Sequence, residues 1–276
     1  MRRWVLLEQP GPWGNDALTE SRLPKQVALE LKKRFHDAGV RLILIRRGAR
    51  FARAGRRCYF VRTKERDPYV AQATIDGPEA LLDIDLVHVT DGAMVPGVAR
   101  HVDPLFLVCT HGRHDACCSI RGNQASRVAC AEPGYTAWES SHIGGDRFAA
   151  NLVCFPHGVY YGRVAPDEVV TLMRSYRRGV LSVPHYRGRS CYTFAVQAAE
   201  HFVRVESGLI GVEDLRLLES TRVDERLLEV VFELRDQRRA GVRVAIDETP
   251  ESYQLTCGAT RLNPIPRYEL VSCLIQ

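Results

Sequence analysis

The chain has 276 residues, 45% hydrophobic and 26% charged, with a formal net charge of +5. That is enough for one large or two medium domains of ordinary soluble composition, and it falls well short of the dense positive stripe of a nucleic-acid binder. No apolar run is long enough to cross a bilayer, Trp4 to Leu7 is too short for a signal sequence, and the nine cysteines are odd in number and unframed, so a cytoplasmic protein with reduced thiols is expected.

Trp4 to Leu7 reads as a first strand, followed by a loop rich in Pro and Gly. Between Pro24 and Gly39, Val27, Leu31 and Phe35 recur every fourth residue, which predicts a helix with proline in its first turn and glycine after its last. Val40 to Ile45 follows as a buried strand. The arginine-rich stretch Arg46 to Arg57, with Arg50 and Arg53 inside it, reads as a solvated loop rather than a docking surface. Cys58 to Arg62 and Tyr69 to Ile75 are further strands about the turn Asp67-Pro68.

A second unit begins near Asp103-Pro104. Leu105 to Val108 is a short apolar strand ending at Cys109, and the segment from Cys109 to Cys118 reads as a loop at its carboxyl end, where α/β proteins commonly place their sites. Trp138 to Ser141 predicts another strand, leading to a second loop, His142-Ile-Gly-Gly-Asp146. Asn151 to Phe155 and Val159 to Val164 form a hairpin through Pro156-His157-Gly158, with His157 exposed in the turn. Pro166-Asp167-Glu168 opens a helix with Val169, Leu172, Met173 and Tyr176 on one face, stopped by Gly179. Thr193 to Ser207 is an amphipathic helix with Ala195, Ala198, Ala199 and Phe202 inward. Leu227 to Leu234, Val242 to Ile246, Tyr253 to Gly258 and Tyr268 to Leu274 read as antiparallel strands that join the N-terminal strands in one sheet. The expected division is an N-terminal α+β segment (1–102), a compact α/β unit (103–180) and a C-terminal segment (181–276) packed with the first; no internal repeat is visible.

The chemistry concentrates in the two loops of the middle unit. Cys109 and Cys118 on one loop, with His142 and Asp146 on the other, form a donor set for a metal centre. Thiolates and imidazoles hold iron-sulfur clusters or zinc, and the choice between them rests on geometry. His142 and Asp146 share a face if helical, and Gly144 and Gly145 let the backbone approach the centre. Asp146 reads equally as a helix N-terminal residue compensating the dipole. Cys117, His111 and His114 are close enough in sequence to replace it as a ligand, although Cys117 reads first as a bystander. Arg147 and Arg163 either tune the charge of the centre through outer contacts or form surface salt bridges. Cys58, Cys130, Cys154, Cys191, Cys257 and Cys273 lack ligand spacing and read as structural.

At these residues the chain resembles the sucrase/ferredoxin-like proteins, which are thioredoxin-like ferredoxins. The likeness lies in Cys109 and Cys118, in His142-Ile-Gly-Gly-Asp-Arg-Phe-Ala-Ala-Asn151, in Pro156-His-Gly-Val-Tyr-Tyr-Gly-Arg-Val164 and in Leu255-Thr-Cys-Gly-Ala-Thr-Arg261. The resemblance implies an α/β chain with a thioredoxin-like ferredoxin unit combined with an α+β unit from the N- and C-terminal segments. It also implies a 2Fe-2S cluster with two cysteine and two histidine ligands, carried over here to Cys109, Cys118 and His142. Where the better understood members have a second histidine, this chain has Asp146. The expected function is electron transfer to or from a redox partner protein, such as an acidic reductase, with no nucleic acid and no membrane. The alternatives are a thiol-based oxidoreductase, against which the absence of Cys-x-x-Cys counts, and a binding module whose site is degenerate or holds zinc. Sucrose hydrolysis is not expected, because no suitably spaced carboxylate pair can be nominated.

Overall fold

A computed structural model describes residues 1–47, 55–93 and 95–276, so Arg50 and Arg53 of the arginine-rich stretch lie outside the described residues. The N-terminal half comprises β1 (Arg3–Glu8), α1 (Lys25–Asp37), β2 (Arg41–Arg46), β3 (Arg56–Arg62) and β4 (Tyr69–Ile75), then the short helices α2 (Ala80–Asp83) and α3 (Leu86–Thr90) and the short edge strand β5 (Ala99–Arg100). The apolar spacing of α1 works as expected: Ala28, Leu31 and Phe35 are buried, Pro24 sits at its start, and Gly39 at φ +63° follows its end. β2 runs parallel to β1, β3 antiparallel to β1, and β4 antiparallel to β3.

The middle of the chain repeats that plan. It comprises β6 (Leu105–Cys109), α4 (Ala116–Ala131), β7 (Thr136–Ser140), a 3-10 turn (Asp146–Phe148), β8 (Leu152–Phe155), β9 (Val159–Tyr161) and α5 (Val169–Arg177). β7 is parallel to β6, β8 antiparallel to β6, and β9 antiparallel to β8. This is the thioredoxin-like arrangement, and β2-β1-β3-β4 has the same order and directions as β7-β6-β8-β9. The duplication lives in topology alone, which is why no sequence repeat announces it.

The two halves join where β2 pairs with β7 through Ile45–Ser140 and Arg46–Glu139. Trp4 of β1 meets Phe155 of β8 at 5.4 Å, and Tyr59 of β3 meets Trp138 of β7 at 6.0 Å. In a flat sheet β1 and β8 would stand roughly 19 Å apart, four strand spacings. The sheet therefore bends at the β2–β7 seam, so that its two halves face each other across a shared core. Alternate residues Leu105, Leu107 and Cys109 face the shared core with Trp4, Leu6 and Val61, while Phe106 and Val108 face α4 and α5.

The C-terminal segment adds β10 (Tyr186–Arg189) beside β9, then α6 (Phe194–Ser207) and the four-stranded antiparallel sheet β11 (Leu215–Arg222), β12 (Leu227–Leu234), β13 (Arg239–Tyr253) and β14 (Asn263–Ile275). The expectation that these last strands share a sheet with the N-terminal ones is corrected: the N-terminal strands pair with the middle unit, and the C-terminal sheet closes its own core against Ala195, Val196, Ala199 and Val203 of α6. Contact between the terminal segments includes Arg66 on Glu233 at 2.8 Å, Ser190 on Thr63 at 3.0 Å and the Met1 ammonium donating to the Ser190 carbonyl. The predicted strand Tyr253 to Gly258 is the end and tip of the β13–β14 hairpin.

Arg189, Glu200 and Arg204 are fully buried between β10 and α6. The Glu200 carboxylate accepts from Arg189 at 3.1 Å, from Arg204 at 2.9 Å and from the Tyr186 hydroxyl at 2.6 Å. Burial opposes its charge, but the two guanidiniums hold Glu200 below the usual carboxylate range.

Candidate metal centre

The segment read as the first ligand loop is partly helix. Asp115 caps α4 by accepting the Cys117 N–H at 2.8 Å, so Cys117 and Cys118 occupy its first turn. The helix escapes an apolar-periodicity reading because its buried stripe is small: Cys118, Gly122, Ala125, Ser126 and Ala129. The smallness is required, since a Cβ on Gly122 would overlap the Cys109 carbonyl. Close approach of α4 to β6 brings Cys118 to Cys109, both 1% exposed.

His142 follows β7. Its N–H donates to His111 Nδ1 at 3.2 Å, and its carbonyl accepts from Arg41 at 3.2 Å, so the seam between the halves sets its backbone. His142 to Asp146 is not helical. Gly144 and Gly145, at φ +96° and +80°, fold the chain back instead, and the Asp146 carboxylate reaches His142 Nδ1 at 3.1 Å. It also accepts from Cys118 Sγ at 3.4 Å. The reading of Asp146 as a dipole-compensating helix residue is corrected, because the three-residue 3-10 turn it starts offers little dipole.

One donor atom each from Cys109, Cys118 and His142 lies within 4.8 Å of the others, and the same holds for His114, His142 and Asp146. His114 is exposed and stacks on His142, ring centroids 3.8 Å apart, so it can supply a donor. His111 cannot: it is buried, its Nε2 bonds the Gly14 carbonyl at 2.6 Å, and its Nδ1 holds His142. Cys117 is also committed, since its sulfur is bonded to that of Cys257, with Cα atoms 6.3 Å apart. This corrects the bystander reading of Cys117 and the expectation of reduced thiols throughout; Cys257, read as structural, is its partner.

The donor chemistry suits a cation. The Cys118 thiol, donating to Cys109, holds the latter well below the ordinary thiol range against the effect of burial. That same bond, with burial, pushes Cys118 up. Burial opposes a charge on His142, yet Asp146 and Cys109 beside it raise its pKa to about 9. Its Nδ1 is buried without a hydrogen bond of good geometry, although the Asp146 oxygen stands near. Two protons thus stand among donors arranged to hold a metal ion, and metal binding must displace them. Because the folded value for His142, about 9, exceeds the ordinary imidazole value of 6.5, its contribution to stability in the metal-free protein is full below 6.5 and lost as pH rises through about 9. The Co2+ concentration for half-saturation of the metal-free protein is expected to fall as pH rises, steeply below about 9, where His142 and Cys118 both release a proton, and with a slope one proton smaller above it, where only Cys118 does; a slope unchanged across about 9 would exclude His142 as a donor.

Arg147 and Arg163 do not touch the donors. With Arg187 they surround the Phe148 ring, guanidinium carbons 4.7, 5.6 and 3.0 Å from its centroid, and among the described residues no carboxylate pairs with them. Burial and then the charges of Arg147 and Arg163 lower Arg187 to about 10. His157, expected in solvent, is largely buried, with Nδ1 on the Tyr176 hydroxyl at 2.8 Å, and burial lowers its pKa to about 3. The described ends of the arginine-rich stretch are engaged too: Arg46 bonds Glu139 and lies over Trp13, and Arg47 lies over Trp138.

A family model described as sucrase/ferredoxin-like matches residues 1–188, which includes every donor but not Leu255 to Arg261. Among curated proteins, Altered inheritance of mitochondria protein 32 of Meyerozyma guilliermondii is 32% identical over 97 residues, covering 31% of this chain and 34% of that protein. The chain thus spans about a third of the length of that curated relative. Among solved structures, the thioredoxin-like [2Fe-2S] ferredoxin from Aquifex aeolicus aligns at 15% identity with a TM-score of 0.29, covering 33% of this chain and 94% of that one. A cysteine-to-serine variant of the same ferredoxin aligns at 15% identity and a TM-score of 0.28, covering 31% and 99%.

Proposed function

The chain belongs to the sucrase/ferredoxin-like family, and from that premise we propose that it is an electron-transfer protein whose 2Fe-2S cluster is held by Cys109, Cys118, His142 and Asp146. The observation that carries this reading is the meeting of two buried sulfurs and one imidazole within 4.8 Å, an arrangement that fits a redox or metal-binding module. When bound, the cluster supplies a one-electron couple, and nitrogen ligation raises its potential relative to four cysteines. The chain's own residues hold and shield it. Cys109 and Cys118 lie out of water, His111 and Arg41 fix the His142 backbone, and Asp146 supplies a negative charge where the resemblance implies a neutral imidazole.

The test is anaerobic purification with quantitation of iron and acid-labile sulfide and a visible spectrum. Near-equal iron and sulfide with visible absorption support the reading; a colourless, iron-free protein after cluster reconstitution ends it. A single Zn2+ is the second reading, favoured by the carboxylate oxygen of Asp146 so close to both Cys118 and His142, and it would appear as stoichiometric zinc without colour.

The redox partner we propose is acidic on its docking face. Arg147 and Arg163 are exposed and Arg187 half-buried, and the three begin one residue beyond Asp146. Uncompensated guanidiniums of this kind steer carboxylate-bearing surfaces. Electron exchange with an acidic ferredoxin reductase is expected to slow as ionic strength rises, and Arg163→Glu is expected to slow it at low salt while leaving the visible spectrum intact. An exchange rate indifferent to salt would refute the proposed docking.

A further inference from the structure

The motif around Cys257 lies outside the residues matched to the family and outside the donor set, yet the structure brings it against the centre. Cys257 occupies the exposed tip of the β13–β14 hairpin, whose last pairs are Ser252–Pro264 and Tyr253–Asn263. Its sulfur is bonded to Cys117 in the first turn of α4, across a sequence separation of 140 residues. The Cα separation of 6.3 Å lies inside the range a disulfide spans. One buried carboxylate serves both partners: Asp115 accepts the Cys117 N–H through Oδ1 at 2.8 Å and the Cys257 N–H through Oδ2 at 2.7 Å. Two cysteines distant in sequence, aligned by a shared side chain beside a metal donor, make a built site rather than a chance contact.

We propose that Cys117 and Cys257 are a second, organic redox site, a dithiol/disulfide couple that takes low-molecular-weight thiols and disulfides as its co-reactants and tethers the hairpin tip to the first turn of α4. Cys257 is exposed and Cys117 half-buried, so the incoming thiolate meets Cys257 Sγ first. The sulfur–sulfur bond breaks, a mixed disulfide forms on Cys257, and Cys117 leaves with the electron pair and takes a proton. A second thiolate attacks the mixed disulfide, giving the small-molecule disulfide and a free Cys257 thiol. The protein disulfide gains two electrons and two protons, and two thiol molecules are oxidised to one disulfide. Loss of the bond leaves the tip held to the middle unit by the Asp115 hydrogen bond, so the tip opens more often. The couple uses none of the proposed cluster donors and does not depend on which metal they hold.

The test uses the full chain, metal-free, after oxidised glutathione or dithiothreitol. Non-reducing tryptic digestion followed by mass spectrometry is expected to show peptide 114–121 linked to peptide 244–261 in the oxidised protein. The link should vanish with dithiothreitol and in Cys257→Ser, and persist in Cys118→Ser, which assigns it to Cys117. In the folded protein, tryptic cleavage after Arg261 should be several-fold slower with the link than without it, and Cys257→Ser should be cleaved at the fast rate whether or not dithiothreitol is present. Full alkylation of Cys117 and Cys257 after oxidised glutathione overturns the couple, and a cleavage rate indifferent to reductant overturns the tether.

Discussion

Cys118→Ser and His142→Ala are each expected to bleach the reconstituted protein and to remove its bound iron, whereas Cys58→Ala, at an equally buried sulfur in the other half, leaves the spectrum unchanged. The size of the effect follows from what each donor does. Loss of a group that merely orients a ligand costs about 10- to 100-fold in metal affinity, so loss of a donor itself should exceed about 100-fold. Serine at 118 also leaves a hard hydroxyl where a polarizable thiolate stood. Asp146→His supplies the imidazole that the family resemblance implies and is expected to retain iron longer under chelator challenge than the parent. Iron retained in full by Cys118→Ser would remove Cys118 from the centre and with it the proposed function.

Glu200→Ala is expected to destabilise the protein by about 3–5 kcal/mol, because it strands two buried cations without a counter-charge. Arg189 and Arg204 are both fully buried on the same carboxylate oxygen, and Tyr186 donates to the other. Glu132→Ala breaks an ion pair whose Arg174 partner is 54% exposed, and should destabilise far less. Urea unfolding of the two variants beside the parent measures the difference; equal midpoints would show that the triad contributes no more than a surface pair. Since the two guanidiniums hold Glu200 below the ordinary carboxylate value, its contribution is present above about 4.5 and declines as pH falls through the lowered folded value.

Much of the secondary structure was legible because large apolar residues recur with the period of the element that buries them. α1 and α5 were placed by Leu31 and Phe35 and by Leu172, Met173 and Tyr176, and the β8–β9 hairpin by Pro156-His157-Gly158. α4 was not legible, since its packing face is made of small residues that carry little hydropathy signal, and what demands them is the carbonyl of Cys109 on another strand. A cap at Asp115 was the one local sign of it. The duplicated strand order left no trace in residue identity, because topology constrains directions and burial rather than particular side chains.

The donor types at positions 109, 118, 142 and 146 were set by the sequence alone, and so was the placement of Cys109 and His142 at strand ends, because both follow from local composition and hydropathy. Which groups are free to serve was decided only in three dimensions. His111 and His114 are chemically alike and close in sequence, yet one spends both ring nitrogens on Gly14 and His142 while the other stacks in the open. Cys117 and Cys257 are neighbours only because two separate sheets dock, and no local pattern encodes a meeting across 140 residues. Ligation and cross-linking depend on distances of a few ångströms between groups far apart along the chain, and packing of the whole core sets those distances.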